Sequence, residues 1–116
     1  MPRILIVEDD AFLALDLAQQ LEDAGFSIMG PAASVEVALA LLAVEECDAA
    51  VLDVHLGRGT TSEPIAERLV ARAIPFVTVT GFSHEQRSPV YDGAPLLSKP
   101  FQPSDLIGSL RHFLSQ

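Results

Sequence analysis

The stretch Arg3-Ile4-Leu5-Ile6-Val7-Glu8-Asp9-Asp10 sets an unbroken aliphatic run directly against three acidic residues. A short apolar run bounded by polar residues reads as a buried strand. In an open sheet of parallel strands, ligands collect at the carboxyl ends, which is where this acidic cluster falls. Similar runs recur at Ser27 to Gly30, Ala49 to Leu52, Phe76 to Val79 and Leu96 to Ser98. The segments between them are longer and carry helical spacing.

Leu13, Leu17 and Leu21 recur every four residues, with Asp10 placed to cap that helix and Gly25 to end it. A second helix is expected from near Ser34 and a third from near Ser62. A last one starts at Pro103, with Leu106, Ile107, Leu110, Phe113 and Leu114 on one face. The segment Gly81 to Gly93 is the exception, because it is polar, holds Pro89 and shows no apolar period. A fourth helix there is expected to be short or poorly ordered, with little apolar area to hold it down. Strands alternating with helices, joined by right-handed crossovers, give an α/β protein. The expected architecture is a flavodoxin-like (βα)5 three-layer sandwich whose parallel five-stranded sheet runs in the order 2-1-3-4-5. At 116 residues, one domain spanning 1–116 is expected.

Sixteen acidic residues stand against seven basic ones, a formal charge of −9, which repels nucleic acid and anionic lipid. Neither is an expected partner. The longest apolar stretch, Val37 to Val44, falls far short of the roughly 20 residues that span a bilayer. The amino terminus reaches its acidic cluster before a signal-peptide core could develop, so a cytoplasmic location is expected. Cys47 is the only cysteine and is expected to pack in the core.

The strand ends carry Glu8-Asp9-Asp10, Asp53, Thr80 and Lys99, and the fold would bring these to one crevice. Glu8, Asp9 and Asp53 at roughly 5 Å would repel by a few kcal/mol per pair at an effective dielectric of about 20. A hard divalent cation answers that repulsion with oxygen ligands, and Mg²⁺ takes carboxylates, waters and phosphate oxygens together. His55, His84 and His112 are too scattered to favour a softer metal. Thr80 offers a hydroxyl and Lys99 a point charge, both suited to phosphoryl oxygens. Asp53 would then be the nucleophile that forms an acyl phosphate. Singly, Glu8 or Asp10 reads as a helix cap and Lys99 as a solvated charge. Jointly, the polar types that fit one reaction fall at the ends of four strands.

These residues resemble the receiver domains of response regulators, through Ile-Val-Glu-Asp-Asp at 6–10, Leu-Asp-Val-His-Leu at 52–56, Val-Thr-Gly at 79–81 and Lys-Pro-Phe at 99–101. The resemblance covers the whole chain. It implies Asp53 as phosphoacceptor and Asp9 and Asp53 as Mg²⁺ ligands, with Glu8 acting through water and His55 through its backbone carbonyl. It gives Thr80 and Lys99 the switch roles, and His55 and Phe82 control of phosphoryl lifetime. It also implies a cis bond between Lys99 and Pro100. The string Ile74-Pro75-Phe76-Val77-Thr78-Val79-Thr80-Gly81-Phe82 is similar to that of the FAT-GUY receivers, from which Thr78 and Val79 depart. Members of that subgroup are commonly single-domain and work with histidine kinases of the HWE type. Leu96 stands where a receiver usually carries a switching aromatic.

An aspartate-nucleophile phosphohydrolase would need a second Asp two residues after the nucleophile, where His55 stands. A flavodoxin would need a glycine- and hydroxyl-rich phosphate loop after the first strand, where the acidic cluster would repel the phosphate. A receiver-like module that binds proteins without being phosphorylated remains the alternative. The expected function is a single-domain response regulator, not an enzyme, which accepts a phosphoryl group from a histidine kinase or phosphotransfer protein. Its output would pass through protein contacts, or it would serve as a phosphate sink or relay.

Overall fold

A computed structural model describes residues 1–81 and 88–115. The chain runs β1 (Arg3–Val7), α1 (Ala11–Asp23), β2 (Ser27–Ala32), α2 (Val35–Val44), β3 (Ala49–Asp53), α3 (Glu63–Ala71), β4 (Phe76–Thr80), β5 (Leu96–Ser98) and α4 (Pro103–Leu114). The strands form one parallel sheet in the order β2-β1-β3-β4-β5, as the sequence leads one to expect.

Strand alternation sorts the core into two layers, because successive side chains leave opposite faces of the sheet. Leu5, Val7, Ala50, Leu52 and Phe76 pack with Ala38 and Leu42 of α2 and Ile65, Ala66 and Leu69 of α3. Ile4, Ile6, Ala49, Val51, Val77 and Val79 pack with Leu17, Ala18 and Leu21 of α1 and Leu106 and Leu110 of α4. With both faces covered, β3 and β4 are buried at every position. This explains why their sequences are almost wholly apolar until Asp53 and Thr80. Leu13 is the one residue of the expected α1 stripe that stays largely exposed, while Ala14 and Ala18 complete the buried face.

Three strand ends differ from expectation. Asp53 and Thr80 are the last residues of their strands, and β2 continues past Gly30 to Ala32. Gly-Pro reads as a strand break, yet the pairing with β1 resumes after a register shift. Gly30 holds φ +94, and a Cβ there would stand 2.8 Å from the Ala32 nitrogen, so only glycine fits. The Gly30–Pro31 bond is cis, as is Lys99–Pro100.

Of the 81–93 segment, residues 82–87, including Phe82, lie outside the described ones. The remainder holds one 3₁₀ turn, Pro89–Tyr91, with Ser88 accepting the Val90 N–H at its amino end. Tyr91 qualifies the expectation that little apolar area holds the segment down, because its ring is fully buried in the core layer that α3 covers. A single aromatic gives no periodic signal, so hydrophobic spacing misses it.

Candidate functional site

Glu8, Asp53, Thr80 and Lys99 meet at the carboxyl edge of the sheet, each placed by the strand it ends or follows. The Glu8 N–H donates to the Ala32 carbonyl at 3.0 Å, and the Lys99 N–H donates to the Thr80 carbonyl at 2.8 Å. Backbone pairing thus continues one residue beyond β1 and β5 and fixes both side chains. Glu8, Asp53 and Thr80 are buried, at 3%, 4% and 2% exposure.

The three acidic neighbours after β1 divide their work. Asp10 caps α1, its Oδ1 accepting the Phe12 and Leu13 N–H groups at 3.0 and 3.1 Å. Glu8 turns inward, accepting the Asp10 N–H on Oε2 at 3.2 Å. Asp9 is exposed, yet Glu8, Asp9 and Asp53 each bring a carboxylate oxygen within 4.8 Å of the others. An all-oxygen donor set of that size fits a hard divalent cation such as Mg²⁺.

Lys99 answers the negative charge in this structure. Its Nζ donates to Glu8 Oε1 at 2.8 Å and to Asp53 Oδ2 at 2.7 Å. Burial pulls the lysine down, but the hydrogen bonds it donates to Asp53 and Glu8, with their negative charge, outweigh it and hold the ammonium above its ordinary value. Asp9 is also pushed up, first by partial desolvation of its carboxyl and then by the neighbouring Glu8 side chain.

The loop after β3 closes over the pocket. The His55 N–H donates to Asp53 Oδ1 at 3.3 Å, and His55 pairs with Thr61 as an isolated antiparallel bridge. The Ser62 N–H donates to the Val54 carbonyl at 3.0 Å, closing the loop at its base. Gly57 holds φ +79 at the tip, where a Cβ would stand 3.1 Å from Asp9 Oδ2. The loop backbone therefore comes within contact distance of the acidic cluster. Beside the pocket, a cavity of about 320 Å³ lies between α1 and the start of α4, lined by Glu8, Leu13, Leu17, Val79, Lys99 and Phe101.

Of the expected pocket residues, Glu8, Asp9, Asp53 and Lys99 come together by their side chains, the His55 N–H lies against Asp53, and Thr80 ends the neighbouring strand. Leu96 lies lower on β5, half-buried and paired with Thr78. Ser62 was expected only to start a helix, but its side chain makes no cap hydrogen bond and instead meets the Tyr91 hydroxyl at 3.0 Å. The sequence holds no signal for that pair, because its partners stand 29 residues apart in different elements.

The chain matches the response regulator receiver domain family over residues 4–111. It is 32% identical over 117 residues to the transcriptional regulatory protein PdtaR of Mycobacterium tuberculosis, covering 98% of this chain and 57% of that protein. The chain thus spans little more than half the length of the curated relatives it matches. Among solved structures, SdrG of Sphingomonas melonis is 38% identical with a TM-score of 0.83, covering 98% of this chain and 97% of that one. A CheY-like receiver domain protein of Methanospirillum hungatei is 27% identical with a TM-score of 0.83, covering 99% and 94%.

Proposed function

Because the chain belongs to the receiver domain family of two-component response regulators, we propose that it accepts a phosphoryl group on Asp53 from a histidine kinase or phosphotransfer protein. The observation that carries this is the convergence of Glu8, Asp9 and Asp53 on one oxygen-lined pocket, with Lys99 between two of them.

In the proposed reaction an Asp53 carboxylate oxygen attacks the phosphorus of a phosphohistidine. A P–O bond forms, the P–N bond breaks, and the imidazole nitrogen leaves with the bonding pair. Lys99 gives up part of its contact with the carboxylates to meet a phosphoryl oxygen, and Thr80 supplies a hydroxyl to another. The His55 N–H steadies the Asp53 carboxylate on its Oδ1 side. Asp9 and Asp53 would hold Mg²⁺, with Glu8 acting through water and the His55 carbonyl completing the protein's share. When bound, the ion neutralises charge on the phosphoryl oxygens.

On the likeness of 74–82 to the FAT-GUY string, the donor is a kinase of the HWE type. Output passes through protein contacts, or the domain serves as a phosphate sink or relay. Leu13 lines the cavity beside Lys99, and Phe12 and Leu15 of the same helix α1 are exposed, so α1 offers apolar side chains to a partner. Phosphotransfer from purified HWE and other histidine kinases, run with the wild type and Asp53→Asn, tests the proposal. Transfer to the wild type alone supports it. Transfer to neither, with a partner protein still bound, would favour a module that works without phosphorylation.

A further inference from the structure

The phosphoacceptor pocket and the 3₁₀ turn before β5 are joined by a continuous set of described contacts. Asp53 Oδ1 accepts the His55 N–H, His55 pairs with Thr61, and the next residue, Ser62, meets Tyr91. Ser62 and Tyr91 are both essentially without solvent exposure. A buried hydroxyl pair is costly to leave half-made, so it fixes one arrangement of the elements it joins. Those elements are the turn 88–91 on one side and the loop that carries His55 and Gly57 on the other.

We propose that the Tyr91–Ser62 hydrogen bond sets the position of the 54–62 loop over the carboxylate pocket, making Tyr91 a positioning residue for phosphoryl acceptance. The proposal rests on the receiver function given above. Ser62 sits at the base of the loop, where its own N–H is tied to Val54, so a shift of its side chain is passed to the backbone on both sides of His55. Two loop groups bear on the pocket, the His55 N–H on Asp53 and Gly57 against Asp9. A displaced loop would disturb both at once. By linkage, a ligand in the pocket must in turn change the hold on Tyr91. The turn 88–91 would then sense the pocket without an aromatic at position 96.

Tyr91 is the only tyrosine and the chain has no tryptophan, so tyrosine emission reports the surroundings of this one side chain. The experiment measures binding of Mg²⁺ with beryllofluoride by calorimetry in the wild type, Tyr91→Phe, Ser62→Ala and the double variant, alongside acrylamide quenching of tyrosine emission in the wild type. Each single variant is expected to weaken binding at least about fivefold, the lower end of typical coupling between sites. The double variant should be no weaker than either single one, and quenching should change when the wild-type pocket fills. Wild-type affinity in both single variants, with only the melting temperature lowered, would overturn the proposal. Should Ser62→Ala fail to fold, Tyr91→Phe decides alone. Failure of the wild type to bind beryllofluoride would instead remove the receiver function and this inference with it.

Discussion

Lys99 Nζ stands 2.8 Å from Glu8 Oε1 and 2.7 Å from Asp53 Oδ2, so one ammonium holds together two buried carboxylates. Removing it leaves both without their shared cation. Lys99→Met should destabilise the metal-free protein by roughly 1–2 kcal/mol, less than a fully buried pair would lose because the lysine side chain is 27% exposed. Mg²⁺ should then stabilise the variant more than the wild type, since it meets repulsion that nothing else offsets. Urea titrations with and without Mg²⁺ check this, and equal Mg²⁺ gains in both proteins would speak against it. The sign of the pH dependence is set by the same contact. A lysine held above its ordinary value of about 10.4 stabilises the fold fully below that pH and loses its contribution as pH rises through the folded-state value. The wild type should lose more stability than the variant over that alkaline range, the variant keeping only the smaller loss from groups such as the buried Cys47 thiol, which burial also pushes up.

Asp9 governs the acid side. Its carboxyl is raised by desolvation and by Glu8, so the folded protein holds a proton there over a window above the ordinary aspartate value of about 3.9. Ionising Asp9 within that window costs the metal-free fold stability as pH rises through it. Mg²⁺ needs the ionised form, so its affinity should fall, with proton release on binding, as pH drops from neutral through the raised Asp9 range. Near neutral pH, a hundredfold excess over the dissociation constant should add about 2.7 kcal/mol of stability. Calorimetry in buffers of different ionisation enthalpy measures the proton count. A flat affinity across this range would remove Asp9 from the ligand set.

Gly57→Ala joins two costs. A Cβ at φ +79 is strained by roughly 1–2 kcal/mol and would press on Asp9 Oδ2 from 3.1 Å. Lower stability and weaker Mg²⁺ binding are expected together, read by melting and by titration. Lower stability with unchanged Mg²⁺ affinity would show that the loop tip does not bear on the metal ligands.

How much of this could be read in the chain depends on which forces leave a local trace. Both-face burial writes itself into Ile4 to Val7 and Ala49 to Leu52 as unbroken apolar runs, so the sheet and its order were legible. The carboxylates and Lys99 were legible because sheet topology alone brings strand ends together. The end of β2 was not, since Gly30-Pro31 reads as a break and only the register shift against β1 keeps the pairing. Tyr91 and Ser62 were not, since a contact across 29 residues leaves no spacing to detect. Ser62 shows the general difficulty, as a serine before a helix reads as its cap until the fold brings another hydroxyl within 3.0 Å.

Phosphoryl acceptance at Asp53 is open to direct measurement. Incubating the protein with acetyl phosphate and Mg²⁺, then applying intact mass analysis and peptide mapping, reads whether and where one phosphoryl group is added. A single hydroxylamine-labile group on Asp53 is expected, dependent on Mg²⁺ and absent from an Asp53→Asn variant that melts as a folded protein. No added mass on the folded wild type, or equal labelling of Asp53→Asn, would contradict the assignment of Asp53 as the phosphoacceptor.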